Sequence, residues 1–281
     1  MFPADNFWNA DVRGLAAHPS STAWRTTIGA TKGLKADFGS GLWDGGPIGI
    51  PFNTVGPGQP RVPITFEYDD ESDPGPYPVA PNSAREHGGD HHVLTVDTST
   101  CTLYEMFAAT RQSDGSWQAG SGAVFDLRSN AQRPSGWTSA DAAGLAILAG
   151  LVRYEEVAAG RIDHAIRFTA PLTQRAFIWP ATHHASSSTD PNRPPMGAWF
   201  RLRTDYDTSG LAPQARVVAE ALKTHGMILA DNGSSWYMSG APDERWDNDA
   251  LRQLSSIKGS DLTAVDASAL MVDPHSGQSR T

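Results

Sequence analysis

The chain has 281 residues, room for one large domain or two small ones, and a net charge of −9 with only 19% charged residues. That acidic balance argues against nucleic acid or an anionic membrane surface as the main partner. Cys101 is the single cysteine, so no disulfide forms within the chain, and no apolar run reaches the ~18 residues of a membrane-spanning helix. The 27 glycines and 20 prolines favour many short strands over long helices.

The opening, MFPADNFW (1–8), reads as a mature terminus behind an added methionine. The expectation is therefore an exported, extracellular bacterial product whose signal peptide is no longer attached. Residues 2–60 are loop-rich and anchored by Trp8, Trp24 and Trp43; they are expected to wrap the body of a single domain spanning 2–272. A strand follows at 62–68. The acidic run Asp69-Asp70-Glu71-Ser72-Asp73 offers oxygen ligands that suit Ca²⁺, but it lacks the spacing of an EF-hand loop and reads as a solvated turn. Tyr77, held between prolines, is a stiff position that could line a cleft.

Residues 88–130 carry the clearest pattern. Three strands, 93–96, 102–109 and 122–127, are joined by turns at 97–100 and 113–116. Counting from the turns sets Glu105 across from Val124, Asp126 opposite Leu103, and His92 across from Glu105. Cross-strand neighbours lie about 5 Å apart on one face. His92, Glu105 and Asp126 would then share a face with Asp90 at its margin, and a one-residue slip would break the set. Two carboxyls and an imidazole at that range suit glycosidic bond cleavage, with one carboxyl protonated and the other ionised. The plain alternative is two solvated carboxylates and a sheet histidine.

Glu86, His87, Asp90, His91 and His92 also invite a metal site, with His87, Asp90 and His92 as the ligands. Adjacent histidines point to opposite faces of a strand, and the spacing matches no zinc signature. The preferred reading therefore needs no cofactor, with a structural Ca²⁺ or a histidine-bound metal as the alternatives.

Beyond a turn at 133–137, Thr138 or Ser139 is expected to cap a short helix with Asp141 in its first turn. The segment 142–151 is apolar and buried, and 154–159 adds a helical turn stopped at Gly160. Strands are expected at 164–169, 174–179 and 198–205, the last placing Trp199, Arg201, Arg203 and Asp205 on one side. Between them lies a hydroxyl-rich loop with His183, a second acid–base candidate. The best helix is 211–225, with Pro213 in its first turn, Gly226 at its end and an apolar stripe of Val217, Val218, Ala221 and Leu222. A buried strand, 227–230, runs into Asp231-Asn232-Gly233; Asp231 is a further catalytic candidate at a strand end. Asp247 caps a last short helix, and 273–281 reads as a flexible tail.

The stretches FPADNFWNADV (2–12), GSGAVFDLRSN (120–130), GWTSADAAGL (136–145), GLVRYEEVAAG (150–160), ASSSTDPNRPPMGAWFRL (185–202) and GMILADNGSSWYMSGAPDERWD (226–247) resemble a family of exported proteins of soil and environmental bacteria, mostly with no assigned activity. The resemblance covers nearly the whole chain. It implies one domain and an exported product, and no catalytic residues.

Together these features lead to a mainly β fold, a two-layer sandwich or jelly-roll-like body with the 211–225 helix packed outside. The functional expectation is a secreted glycoside hydrolase acting on a polysaccharide, with a β-glucan as the first guess. Glu105 and Asp126 form the carboxylate pair and His92 orients one of them, while Tyr77, Trp137, Trp179, Trp199 and Arg201 line the sugar subsites. A non-catalytic carbohydrate-binding protein and a metal-dependent lyase or oxidative enzyme are the alternatives.

Overall fold

The computed structural model describes residues 1–280. Strand outweighs helix, 26% to 18%, and no sheet closes into a barrel among the described residues. The central sheet has six strands in the spatial order Lys35–Asp37, Tyr237–Ser239, Ile166–Ala170, Met227–Asn232, Trp199–Leu202 and Leu262–Val265. Two of its pairings are parallel, Lys35–Asp37 with Tyr237–Ser239 and Ile166–Ala170 with Met227–Asn232. Such mixed strand directions differ from the antiparallel run of a jelly roll. A second sheet of four strands, in the order Ser121–Asp126, Thr102–Phe107, Val93–Asp97 and Phe52–Val55, packs into the same core.

The central strands are apolar on both faces because both are covered. Met227, Ile228, Leu229 and Ala230 are fully buried, as are Trp199, Phe200 and Leu202. Hence the expected polar cleft face on 198–205 does not form: Trp199 lies in the core, its Nε1–H donating to the His225 carbonyl at 2.7 Å. The helix expected at 211–225 is Pro213–Thr224, and it buries Ala215, Val218, Ala219, Ala221 and Leu222. Asp247 caps Asn248–Arg252 as its side chain accepts from the amides of Asp249 and Ala250.

Several elements differ from expectation. Residues 174–179 form no strand, only a bridge between Phe177 and Met196. The N-terminal wrap contains a helix, Ser21–Ile28, and supplies a strand to each main sheet, so it is part of the body. The tail is docked: the Phe7 amide donates to the Gly277 carbonyl at 2.8 Å, and the Ser279 amide donates to the Asp5 carbonyl at 2.7 Å.

The three-strand ribbon forms, in a different register. Glu105 pairs with Ala123 and with Leu94, and Asp126 pairs with Thr102. The first turn is off by two residues, which keeps His92 on the Glu105 side. The second is off by one, which turns Asp126 to the opposite side. The small Ile64–Phe66, Trp117–Ala119, Thr110–Arg111 sheet sets this register, because the strand breaks at Ala108, whose φ is 51°, and the 110–118 hairpin joins a different sheet. Asp126 faces solvent and pairs with Arg128 at 3.1 Å.

Glu105 has a structural role. It is fully buried, and its two oxygens accept the backbone N–H groups of Ile147 and Leu148, each at 2.9 Å. Those amides open the short helix Ile147–Gly150 and have no partner within it. Burial pushes the Glu105 pKa up to about 7 against the opposing pull of these two bonds. Glu105→Ala strands both donors in the core, so urea unfolding should show a loss of about 2–4 kcal/mol. An unchanged midpoint would contradict this role.

Candidate active site

A cavity of about 450 Å³ opens where the end of the central sheet meets the hairpin Leu42–Trp43/Gly46–Pro47 and the loop 86–92. The hairpin turns at Asp44 and Gly45, both with positive φ, the two-residue turn that suits the twist of paired strands. Gly46 is required beneath it, since a Cβ there would fall 1.9 Å from the His87 ring. The His87 Nε2 bonds the Asp44 carbonyl at 2.8 Å and ties hairpin to loop.

The floor is a row of side chains across neighbouring strands. Asp37 pairs with Ser239, and the antiparallel match of Phe168 with Met238 sets Arg167 beside Ser239. Along the next strand the register shifts: Phe168 pairs with Leu229, but Thr169 pairs with Asp231. Ala230 is the extra residue. This bulge brings Asp231 to the side of the sheet that carries Arg167 and Thr169.

Arg167 is 4% exposed and its guanidinium is nearly saturated. Nε and Nη2 donate to the two oxygens of Asp141, both at 2.8 Å, Nη2 also donates to Asp231 at 3.1 Å, and Nη1 donates to the Ser239 hydroxyl at 2.6 Å. Burial alone would lower its pKa; Asp141 and Asp231 outweigh that, and the group stays charged. With Asp141 fully buried in the bidentate pair, one cation faces two carboxyls. Asp231 is the one that yields: burial, then the Asp141 charge, pushes its pKa up to about 7.

Asp37 opens onto the cavity and its carboxyl has no hydrogen-bond partner among the described residues. The enclosing walls, then the charge of Glu86, raise its pKa above the ordinary value. Glu86 stands in the opposite wall. Its Oε2 lies 2.6 Å from His92 Nδ1, and the His92 Nε2 faces the Ala140 carbonyl at 3.1 Å. Burial would raise the Glu86 pKa and lower that of His92; their mutual contact reverses both.

The sequence-derived candidates separate accordingly. Asp231, His92, His87 and Asp90 line the cavity; Glu105 and Asp126 do not, so that carboxylate pair does not form. His183 lies elsewhere, its Nδ1 on the Ala142 carbonyl at 2.8 Å and its Nε2 3.8 Å from Glu71. Tyr77 is fully buried against Phe66 and Tyr104, and its hydroxyl donates to the Asp73 carbonyl. Trp137 packs under Arg133, and Trp179 donates to the Ser276 carbonyl. Arg201 reaches the Leu15 carbonyl. None of these residues lines a common groove with Asp231. The aromatic groups at the cavity are Trp43, 76% exposed, and Tyr237.

Asp37 and Arg167 carry no functional expectation from the sequence, Glu86 enters there only beside the metal-site histidines, and Asp141 only as a residue of an expected helix start. The one signal available was HAIRFTA (164–170), where an arginine interrupts a buried strand; a buried guanidinium demands carboxylate partners. The chain matches no family model, no curated protein and no solved structure.

The folded-state pKa of Asp231 lies above its unfolded value of about 3.9. Its contribution therefore favours the fold at low pH and is lost as pH rises from about 4 to 7. Carboxyl NMR should show Asp231 titrating near 7. Asp231→Asn should gain stability relative to the parent across that same interval; a difference independent of pH would disprove the assignment.

Proposed function

We propose that the protein is an acid–base glycoside hydrolase acting on a polysaccharide, with Asp231 as the general acid and Asp37 as the general base. The observation that carries this reading is a pair of carboxyls lining one cavity in different surroundings. Asp231 rests on an already paired Arg167 and holds its proton to near neutrality, whereas Asp37 faces solvent without a partner. Cleavage of a glycosidic bond needs such a protonated donor and an ionised acceptor.

Asp37 and Asp231 stand on strands separated by two others, about 14 Å between backbones, with the Arg167 strand between them. That wide gap suits a water-mediated, inverting displacement: Asp231 protonates the leaving oxygen, and Asp37 takes a proton from the attacking water. Trp43 offers an indole face at the cavity mouth, where a pyranose ring can stack. We read the six- and four-stranded sheets as the two layers of a sandwich-like body that carries this site. The proposal also includes export, as the resemblance to extracellular bacterial proteins implies, and a β-glucan is the first polymer to test.

The deciding measurement is release of reducing ends across a polysaccharide panel. Activity should fall by about 10²–10⁴-fold in Asp231→Asn and in Asp37→Asn, and the parent rate should decline as pH rises past about 7. Asp126→Asn should retain activity. Tight binding of a glycan with no new reducing ends would favour the non-catalytic carbohydrate-binding alternative instead.

Trp43→Ala should raise KM several-fold with kcat little changed, since stacking at the mouth acts equally on bound substrate and transition state. A matched fall in kcat with KM held would place Trp43 in the chemical step.

A further inference from the structure

We propose that Glu86, Asp90 and His92 form a binding site for a divalent transition-metal cation in the cavity wall. Each offers one donor atom, and the three atoms lie within 4.8 Å of one another. His92 is 1% exposed, so its ring has no freedom to turn to water. Its Nε2 faces the Ala140 carbonyl, which can only accept, so Nε2 carries a hydrogen. An outer carbonyl that orients the imidazole in this way is the usual support of a metal-binding histidine.

Nδ1 then points at Glu86 Oε2 from 2.6 Å. Two lone pairs do not face each other at that distance, so a proton bridges them here, and a cation would bind by displacing that proton as the two groups move a few tenths of an ångström apart. A proton would satisfy this pair alone. The third member favours a cation: an Asp90 carboxylate oxygen lies within 4.8 Å of both donor atoms and makes no hydrogen bond to protein among the described residues. The Asp90 backbone is fixed as well, its carbonyl accepting from the Ala108 amide at 2.8 Å. His87, which the sequence offers as a ligand, is engaged with Asp44 instead, and Glu86 takes its place.

One imidazole with two carboxylates suits Zn²⁺ or Mn²⁺ better than Ca²⁺ or Mg²⁺, which take oxygen donors. Three protein donors leave further positions facing the cavity, where water or a substrate oxygen can enter. The site is separate from the Asp231–Asp37 pair and holds whether or not that pair cleaves sugars.

The test is calorimetric titration of the chelator-treated, untagged protein with Zn²⁺, Mn²⁺ and Ca²⁺ alone, read beside thermal unfolding. One Zn²⁺ or Mn²⁺ should bind per chain, and saturation should raise the melting temperature by a few degrees. Asp90→Asn, on an exposed side chain, should melt like the parent without metal and bind at least about tenfold more weakly. Glu86→Gln should also lose affinity. No binding at millimolar metal, equal binding of Ca²⁺, or affinity unchanged in both variants would each overturn the site and leave a proton between Glu86 and His92.

Discussion

A single buried guanidinium organises this molecule. Arg167 sits inside the central sheet, where an unpaired charge would cost several kcal/mol, and the surrounding chain is arranged to answer it. Asp141 comes from the segment between the two main sheets, Asp231 from the neighbouring strand and Ser239 from the strand on the other side. Three separate stretches of sequence are thereby fixed relative to one another. The cavity lies against this cluster, so its geometry follows from the electrostatic demand of one residue.

The cluster also accounts for the character of the cavity. Asp141 alone neutralises Arg167, and the second carboxyl is in excess. Excess negative charge in a partly dry site is relieved by retaining a proton, and Asp231 retains it. Across the cavity Glu86 is ionised by its contact with His92. Two carboxyls of opposite tendency thus arise from their neighbours rather than from their own chemistry.

What could be read from the chain followed the range of the interactions involved. Local signals held: the proline-started helix at 213–224, the Asp247 cap, the buried Met227 strand and the three-strand ribbon. Register did not, because the 110–118 hairpin is held by pairing with residues 64–66, far away in sequence. The catalytic candidates inherited that slip. Glu105 became the cap of a short helix and Asp126 a solvent-facing partner of Arg128. Asp231 and His92 were legible as polar residues beside apolar strands, whereas Asp37 and Glu86 reach the cavity only through long-range packing. Nothing in the KAD neighbourhood marks Asp37, and Glu86 stands out only as a neighbour of the 87–92 histidines.

The position of Asp231 depends on strand register as much as on side-chain identity. Ala230 is the surplus residue that turns the carboxyl toward Arg167. If the strand kept Ala230 but ran in regular register, every functional group would still be present and Asp231 would point to the side of Phe168, away from Arg167. The bulge, rather than the identity of residue 230, is therefore what must be kept: a chain could carry every acidic residue named here and still aim this carboxyl away from the cavity.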